Sequence, residues 1–306
     1  MPVTWVDISM AYDGQRLDNF LIRHCKGVPK ARIYRAIRQG EVRIDGKRAK
    51  ASTRLATGVR LRVPPMQTAQ VRPVGFSHEQ LAAVKNWVLF ENEDIVVINK
   101  PSGIAVHGGT SVHYGIIDLI KAADPATSFY LVHRLDRGTS GCLILAKNRP
   151  TLLLLHQALR DRIIEKSYLA WLGGAWRFSE DQCVEQPLRR LTQGDAGRKV
   201  VVSGLGQAAI SHFYVEQRFL DSTLVRVKIE TGRMHQIRVH AAYLGHPVLG
   251  DKMYGDKLLN KRFIAQHGVV RLCLHARSLS LNCFDEPINV CAPLPSDLQV
   301  LLESLQ

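Results

Sequence analysis

The chain has 306 residues, 46% hydrophobic and 22% charged, the composition of an ordinary globular protein large enough to build a deep cleft. Its apolar runs, such as Leu152–Leu155 and Ile95–Ile98, fall far short of the ~20 residues that cross a bilayer, and Met1–Met10 lacks the basic stretch and apolar core of a secretory signal. The formal charge of +14 is concentrated in one segment: Gly14–Pro64 holds fourteen Lys and Arg against Asp18, Glu41 and Asp45, a net +11 that leaves +3 for the remainder. Such a field suits a polyanion, because each neutralised phosphate releases condensed counterions. A solvated basic surface is the plainer explanation, and it fits one basic helix better than a whole segment nearly free of acids. The six cysteines form no Cys-x-x-Cys pair, and none of the twelve histidines sits in a His-Glu-x-x-His arrangement. We therefore expect reduced, packed thiols and no metal site. A cytoplasmic protein is expected.

In chain order, Leu17, Phe20 and Leu21 have helical spacing, as do Ile33, Ala36 and Ile37, with Pro29 suited to the start of the second helix and Gly40 to its end. On that helix Arg32, Arg35 and Arg38 recur every third residue and form one stripe, close to Lys26 and Lys30. Val42–Ile44, an Asp45-Gly46 turn and Val59–Val63 predict a hairpin and a further strand. Residues 66–86 are polar and irregular and read as a linker. Strands are expected at Val88–Phe90, Ile95–Ile98, Tyr130–Leu135 and Cys142–Ala146. Pro150 opens a helix with Leu152, Leu155, Leu159 and Ile163 on one face. In Leu224–Glu230, Val225, Val227 and Ile229 alternate with Arg226, Lys228 and Glu230. The pattern is α+β: a small α/β unit (residues 1–65), the linker, and a large mixed-sheet domain (87–306).

Three segments could carry chemistry. Asp136 lies in His133-Arg134-Leu135-Asp136-Arg137-Gly138-Thr139-Ser140-Gly141, a polar turn between two apolar stretches. Such a turn holds a carboxylate at the mouth of a sheet, where Arg134 and Arg137 would keep it ionised. On local grounds a turn aspartate capping nearby backbone groups is the slightly better explanation. Arg233 sits at a strand-to-helix junction, Thr231-Gly232-Arg233-Met234-His235-Gln236-Ile237-Arg238-Val239-His240, suited either to an anionic partner or to a structural ion pair. Tyr168, in Lys166-Ser167-Tyr168-Leu169-Ala170, is either a base-stacking hydroxyl or an ordinary strand tyrosine.

Together with Asn99-Lys100-Pro101-Ser102-Gly103-Ile104-Ala105-Val106-His107-Gly108-Gly109, these segments resemble, in order, the ribosomal large-subunit pseudouridine synthases, and the basic unit resembles the S4 RNA-binding domain. Met234 stands where the family usually has threonine, and Gln207 and Ile210 depart from its Gly-Lys-x-Ala-x-Thr pattern. The resemblance implies an isomerase that needs neither metal nor nucleotide cofactor and acts on large-subunit ribosomal RNA or its assembly intermediates; nothing in the sequence demands more than a monomer. It implies Asp136 as the essential carboxylate, Arg233 holding it ionised, and Tyr168 stacking on the base and helping remove its C5 proton. Ile237 would pack against the base, and Arg134 would fill the space the extruded uridine leaves. Lys30, Arg32, Arg35 and Arg38 would contact phosphates. A non-catalytic S4-type RNA-binding or ribosome-assembly factor would explain the charge as well. An RNA methyltransferase would need a cofactor-binding glycine loop, and Gly204-Leu205-Gly206 lacks the third glycine.

Overall fold

The apolar residues singled out by helical spacing in the basic segment converge on one small core. In this computed structural model, Leu17, Leu21, Ile33, Ala36, Val42 and Leu61 are all fully buried. Residues 3–25, 27–66, 75–108, 114–191, 199–268 and 270–306 are described; Lys26 and Gly109, named above, lie outside them. The chain divides into two units, Met1–Gly75 and Phe76–Gln306.

In the first unit the elements are β1 (Thr4–Asp7), α1 (Leu17–His24), α2 (Lys30–Gln39), β2 (Arg43–Ile44), β3 (Lys47–Arg48) and β4 (Arg60–Val63). The strands form an antiparallel sheet in the order β1-β4-β2-β3. Gly40 ends α2 at φ 72°, a left-handed conformation that only glycine adopts without penalty. Asp45 and Gly46, both at positive φ, make the tight turn between β2 and β3.

The second unit begins with α3 (His78–Lys85), β5 (Val88–Glu91), β6 (Ile95–Lys100), α4 (Ile116–Ala123), β7 (Tyr130–Leu131), β8 (Ser140–Ala146) and α5 (Arg149–Arg160). Then follow β9 (Ile164–Gly173), β10 (Gln182–Val184), β11 (Leu188–Arg190), β12 (Val200–Val202), β13 (Ser211–Arg218) and β14 (Ser222–Ile229). It closes with α6 (Gln236–Tyr243), α7 (Lys257–His267), β15 (Leu274–Leu281), β16 (Ile288–Cys291) and α8 (Ser296–Leu305). Ten strands form one mixed sheet in the order β10-β13-β14-β9-β15-β8-β6-β5, with β16 beside β15 and β7 beside β8. The β8–β15 pairing is parallel and the rest antiparallel. Alternation assigns the faces: Leu143 and Leu145 pack in the core that includes α4 and α6, while Cys142 and Ile144 pack with α5. The expected α+β class, a small α/β unit and a large mixed-sheet domain, is what the chain adopts.

Three local expectations differ from the structure. The stretch 66–86, expected to be an irregular linker, contains α3, whose Ser77 and Gln80 cap one another reciprocally. The strand expected over Tyr130–Leu135 stops at Leu131, and the chain leaves the sheet at His133, whose Nε2 accepts the Ile144 N–H at 3.1 Å. The helix after Pro150 ends at Arg160, and Arg162, at φ 60°, turns the chain so that Ile163 is 40% exposed rather than on the helix's buried face. Among the described residues no helix is long and apolar enough to cross a membrane.

Candidate active site

Asp136 sits in the turn between β7 and β8. Leu135 is buried as its anchor, and the Thr139 N–H closes the turn on the Asp136 carbonyl at 3.1 Å. The segment after β6 braces this turn. Gly103 N–H donates to the Arg137 carbonyl at 2.8 Å, Arg137 Nε to the Gly103 carbonyl at 2.7 Å, and Ser102 Oγ to the Gly138 carbonyl at 2.8 Å. Lys100, fully buried, directs Nζ at the carbonyls of Pro101, Ile104 and Arg137 (2.8, 2.9 and 3.4 Å). The Asn99–Gly103 motif therefore fixes the backbone that carries Asp136. Gly141, just past the turn, has φ 107°, and a Cβ there would stand 2.2 Å from the Ala276 carbonyl oxygen, so the parallel approach of β15 requires glycine.

The cation on Asp136 is Arg238, from α6. Its Nη1 donates to Asp136 Oδ2 at 3.0 Å, while Nε and Nη2 donate to the two oxygens of Asp251 at 2.7 and 2.9 Å. This corrects the expectation for Arg233, which is exposed and gives its Nε to the Ala208 carbonyl at 3.0 Å. Arg134 and Arg137 are exposed as well, and Arg137 is spent on Gly103. The Asp251 carboxylate is fully buried. Burial alone would raise its pKa, but the Arg238 guanidinium and the N–H groups of Met253 and Tyr254 hold it below the usual carboxylate range. Burial likewise opposes the charge on Arg238, and the two carboxylates outweigh it.

Tyr168 lies mid-sheet on β9, opposite Val227 on β14 and Ala276 on β15. It is 7% exposed, and burial, followed by the charge of Asp136, raises its phenol well above the ordinary tyrosine range. Ile237, on the first turn of α6, is 5% exposed. Tyr168, Ile237, Asp136, Arg134, Arg233 and Arg238 all line one cleft. His235 is a further neighbour. It precedes α6 at φ 55°, with Nδ1 2.8 Å from the Tyr254 hydroxyl and Nε2 3.9 Å from Asp136 Oδ2. Positive φ on a histidine is strain of a kind that persists mainly where the surroundings dictate it.

A family model described as RNA pseudouridylate synthase matches residues 94–243, and an S4 domain model matches residues 15–61. The chain is 40% identical, over 99% of its length and 95% of the relative's, to the Haemophilus influenzae protein named ribosomal large subunit pseudouridine synthase C. The chain belongs to the RNA pseudouridylate synthase family. This pseudouridine synthase is also 42% identical to the protein of the same name from Escherichia coli K12, over 96% of the chain and 93% of that protein. The human protein titled RNA pseudouridylate synthase domain containing 4 superposes with a TM-score of 0.62 at 28% identity, covering 74% of the synthase and 95% of the human chain. The synthase is thus an isomerase carrying an S4 domain.

The structure brings Asp136, Tyr168, Ile237, Arg134 and Arg233 to one cleft, and it adds Arg238, Asp251 and His235, which the sequence did not single out. Arg238 stands five residues beyond Arg233, and only the start of α6 at Gln236 decides which guanidinium faces the carboxylate. In the S4 unit Lys30, Arg35 and Arg38 are exposed, whereas Arg32 is half-buried and paired with Glu41 at 2.7 Å.

Proposed function

We propose that this synthase converts uridines to pseudouridine in large-subunit ribosomal RNA, without metal or nucleotide cofactor, and that Asp136 is the carboxylate that meets the ribose. The observation that carries the reading is the Asp136–Arg238 contact at 3.0 Å, in a cleft that Tyr168 and Ile237 also line. Relatives named for the large ribosomal subunit supply the substrate class. The proposal includes a monomer working in the cytoplasm.

Pseudouridine formation is an isomerisation. The N1–C1′ bond breaks, the uracil turns, C5 joins C1′, the C5 proton leaves and N1 ends protonated. A carboxylate starts it by attacking the sugar, as in retaining glycosidases, or by removing a sugar proton. Both routes use Asp136 as a carboxylate, and the Arg238 guanidinium fixes its position. Arg238 engages Oδ2 and leaves Oδ1 as the reacting oxygen. Tyr168 stacks on the base, and its neutral phenol oxygen accepts the C5 proton as its own O–H proton passes to solvent water. Ile237 packs against the base. Extruding the uridine costs about a few kcal/mol, and Arg134, exposed beside the cleft, fills the gap. Lys30, Arg35 and Arg38 supply phosphate contacts that position the RNA without reading its sequence.

Asp136→Asn tests the assignment. We expect no pseudouridine in ribosomal RNA, mapped chemically, with RNA binding retained; turnover in that variant would overturn it.

A further inference from the structure

A second cleft, of about 440 Å³, adjoins the first. Arg134, Tyr168, Ile229, Gly232 and Arg233 line both. The second adds Arg160 at the end of α5, Arg162 in the turn that follows, and Lys166 on β9. Its one acid, Glu230, is already engaged by Arg162 and by His212 Nε2, the latter at 2.9 Å. Lys166 differs from the surface arginines. It is half-buried, two residues before Tyr168 and on the same face of the strand, and among the described residues Nζ meets neither a carboxylate nor a hydrogen-bond acceptor. Burial accordingly lowers its pKa. An ammonium partly removed from water with no partner weakens the folded state, and it persists where an anion arrives to complete it.

We propose that this cleft seats the phosphodiester group next to the target uridine, with Lys166 Nζ as its anchor and Arg134 and Arg160 as outer contacts. The occupant is RNA rather than an acidic peptide because Tyr168 is a wall of both clefts. Whatever fills the second is in contact with the nucleotide in the first. This rests on the uridine-isomerising reading of the Asp136 cleft.

The test uses the full chain and a ribosomal RNA oligonucleotide whose two phosphodiesters flanking the target uridine are replaced, one at a time, by neutral methylphosphonate. One replacement weakens wild-type binding about tenfold, as for one charged hydrogen bond. Lys166→Met binds unmodified RNA about tenfold more weakly and is indifferent to that replacement. Lys166→Arg keeps most of the affinity, and kcat at saturating RNA stays within about twofold. Removing an unpartnered cation also raises the thermal midpoint of Lys166→Met, whereas a structural lysine would lower it. Full sensitivity of Lys166→Met to both replacements overturns the proposal, as does a loss confined to kcat or a lowered midpoint. Arg160→Gln, at an exposed position, gives the same coupling with a smaller loss if the cleft is the seat. Binding is measured apart from turnover. Coupling without any pseudouridine therefore refutes the isomerase reading alone, and turnover without coupling refutes the phosphate seat alone.

Discussion

Arg238 bridges two carboxylates: Nη1 reaches Asp136 at 3.0 Å, while Nε and Nη2 grip Asp251 at 2.7 and 2.9 Å. The two partners differ in burial, with side-chain exposures of 18% for Asp136 and 0% for Asp251. The buried partner fixes the guanidinium, so the exposed one meets a cation already in place. A planar fork is needed, because an ammonium is a point charge and cannot span both.

Arg238→Ala leaves Asp251 buried without its cation and should destabilise the fold by about 3–5 kcal/mol. Arg238→Lys is the cleaner probe, expected to fold and to lose most of its turnover. Arg233→Ala removes an exposed side chain and should stay within about 0.5 kcal/mol of wild type. Denaturant unfolding together with pseudouridine mapping measures all three; wild-type kcat in Arg238→Lys would show that the bridge does not orient Asp136.

Tyr168→Phe keeps the ring and deletes the hydroxyl. RNA affinity should be nearly unchanged while turnover drops by about 10²–10⁴, the range for a positioned proton-transfer group. Because burial raises the phenol pKa, tyrosine ionisation should add no limb to the pH–rate profile below about pH 10. A limb near pH 8 that disappears in Tyr168→Phe would contradict a neutral phenol.

On the S4 domain, Arg35→Ala with Arg38→Ala should weaken RNA binding and flatten the log–log salt dependence by about one unit per lost phosphate contact. Arg32→Ala breaks the pair with Glu41 and should change the slope less. Equal slopes for the double variant and wild type would mean that the stripe faces away from RNA.

Acid should unfold the protein partly through His275. This side chain is fully buried, and burial first, then Arg271 and Arg277, push its pKa down to about 4, opposed by the Ala292 carbonyl. Arg271 Nη2 donates to Ser140 Oγ at 2.7 Å. The Ser140 hydroxyl then donates to His275 Nδ1 at 2.9 Å, which leaves Nε2–H for the Ala292 carbonyl at 3.4 Å, so the neutral ring is what the site accommodates. Between about pH 6.5 and 4 the unfolded chain binds a proton that the folded chain refuses, so stability falls with pH, by roughly 3 kcal/mol for this group at the lower end. The wild-type loss over that window should exceed that of His275→Gln; identical slopes would remove His275 from the account.

Much of this was legible beforehand because apolar periodicity survives folding. Leu17 to Ile37, Ile95 to Ile98 and Val225 to Ile229 occupy the elements their spacing predicts. The errors have physical causes. The helix His78–Lys85 announces itself through Ser77 and Gln80, a capping signature rather than an apolar stripe, and only Val84 is buried along it. Tyr130 to Leu135 looks like a strand because it is largely apolar. Beyond Leu131, however, only a long backbone bond, from the Val132 N–H to the Ile144 carbonyl at 3.4 Å, continues towards β8, and Leu135 is buried as part of the turn.

Local order and charge placement followed from the chain itself: helical and strand spacing, glycines that permit left-handed turns, and a basic module that suits a polyanion are short-range properties encoded in neighbouring residues. Which guanidinium meets Asp136 was decided only by tertiary structure. Asp136 and Arg238 are 102 residues apart and meet because β8, β9, β14 and β15 pair side by side and α6 packs against that sheet. Asp251, fully buried, receives the N–H groups of Met253 and Tyr254 from its own neighbourhood, but no cation. Its cationic partner arrives from α6, and the same guanidinium that satisfies the buried carboxylate also reaches Asp136.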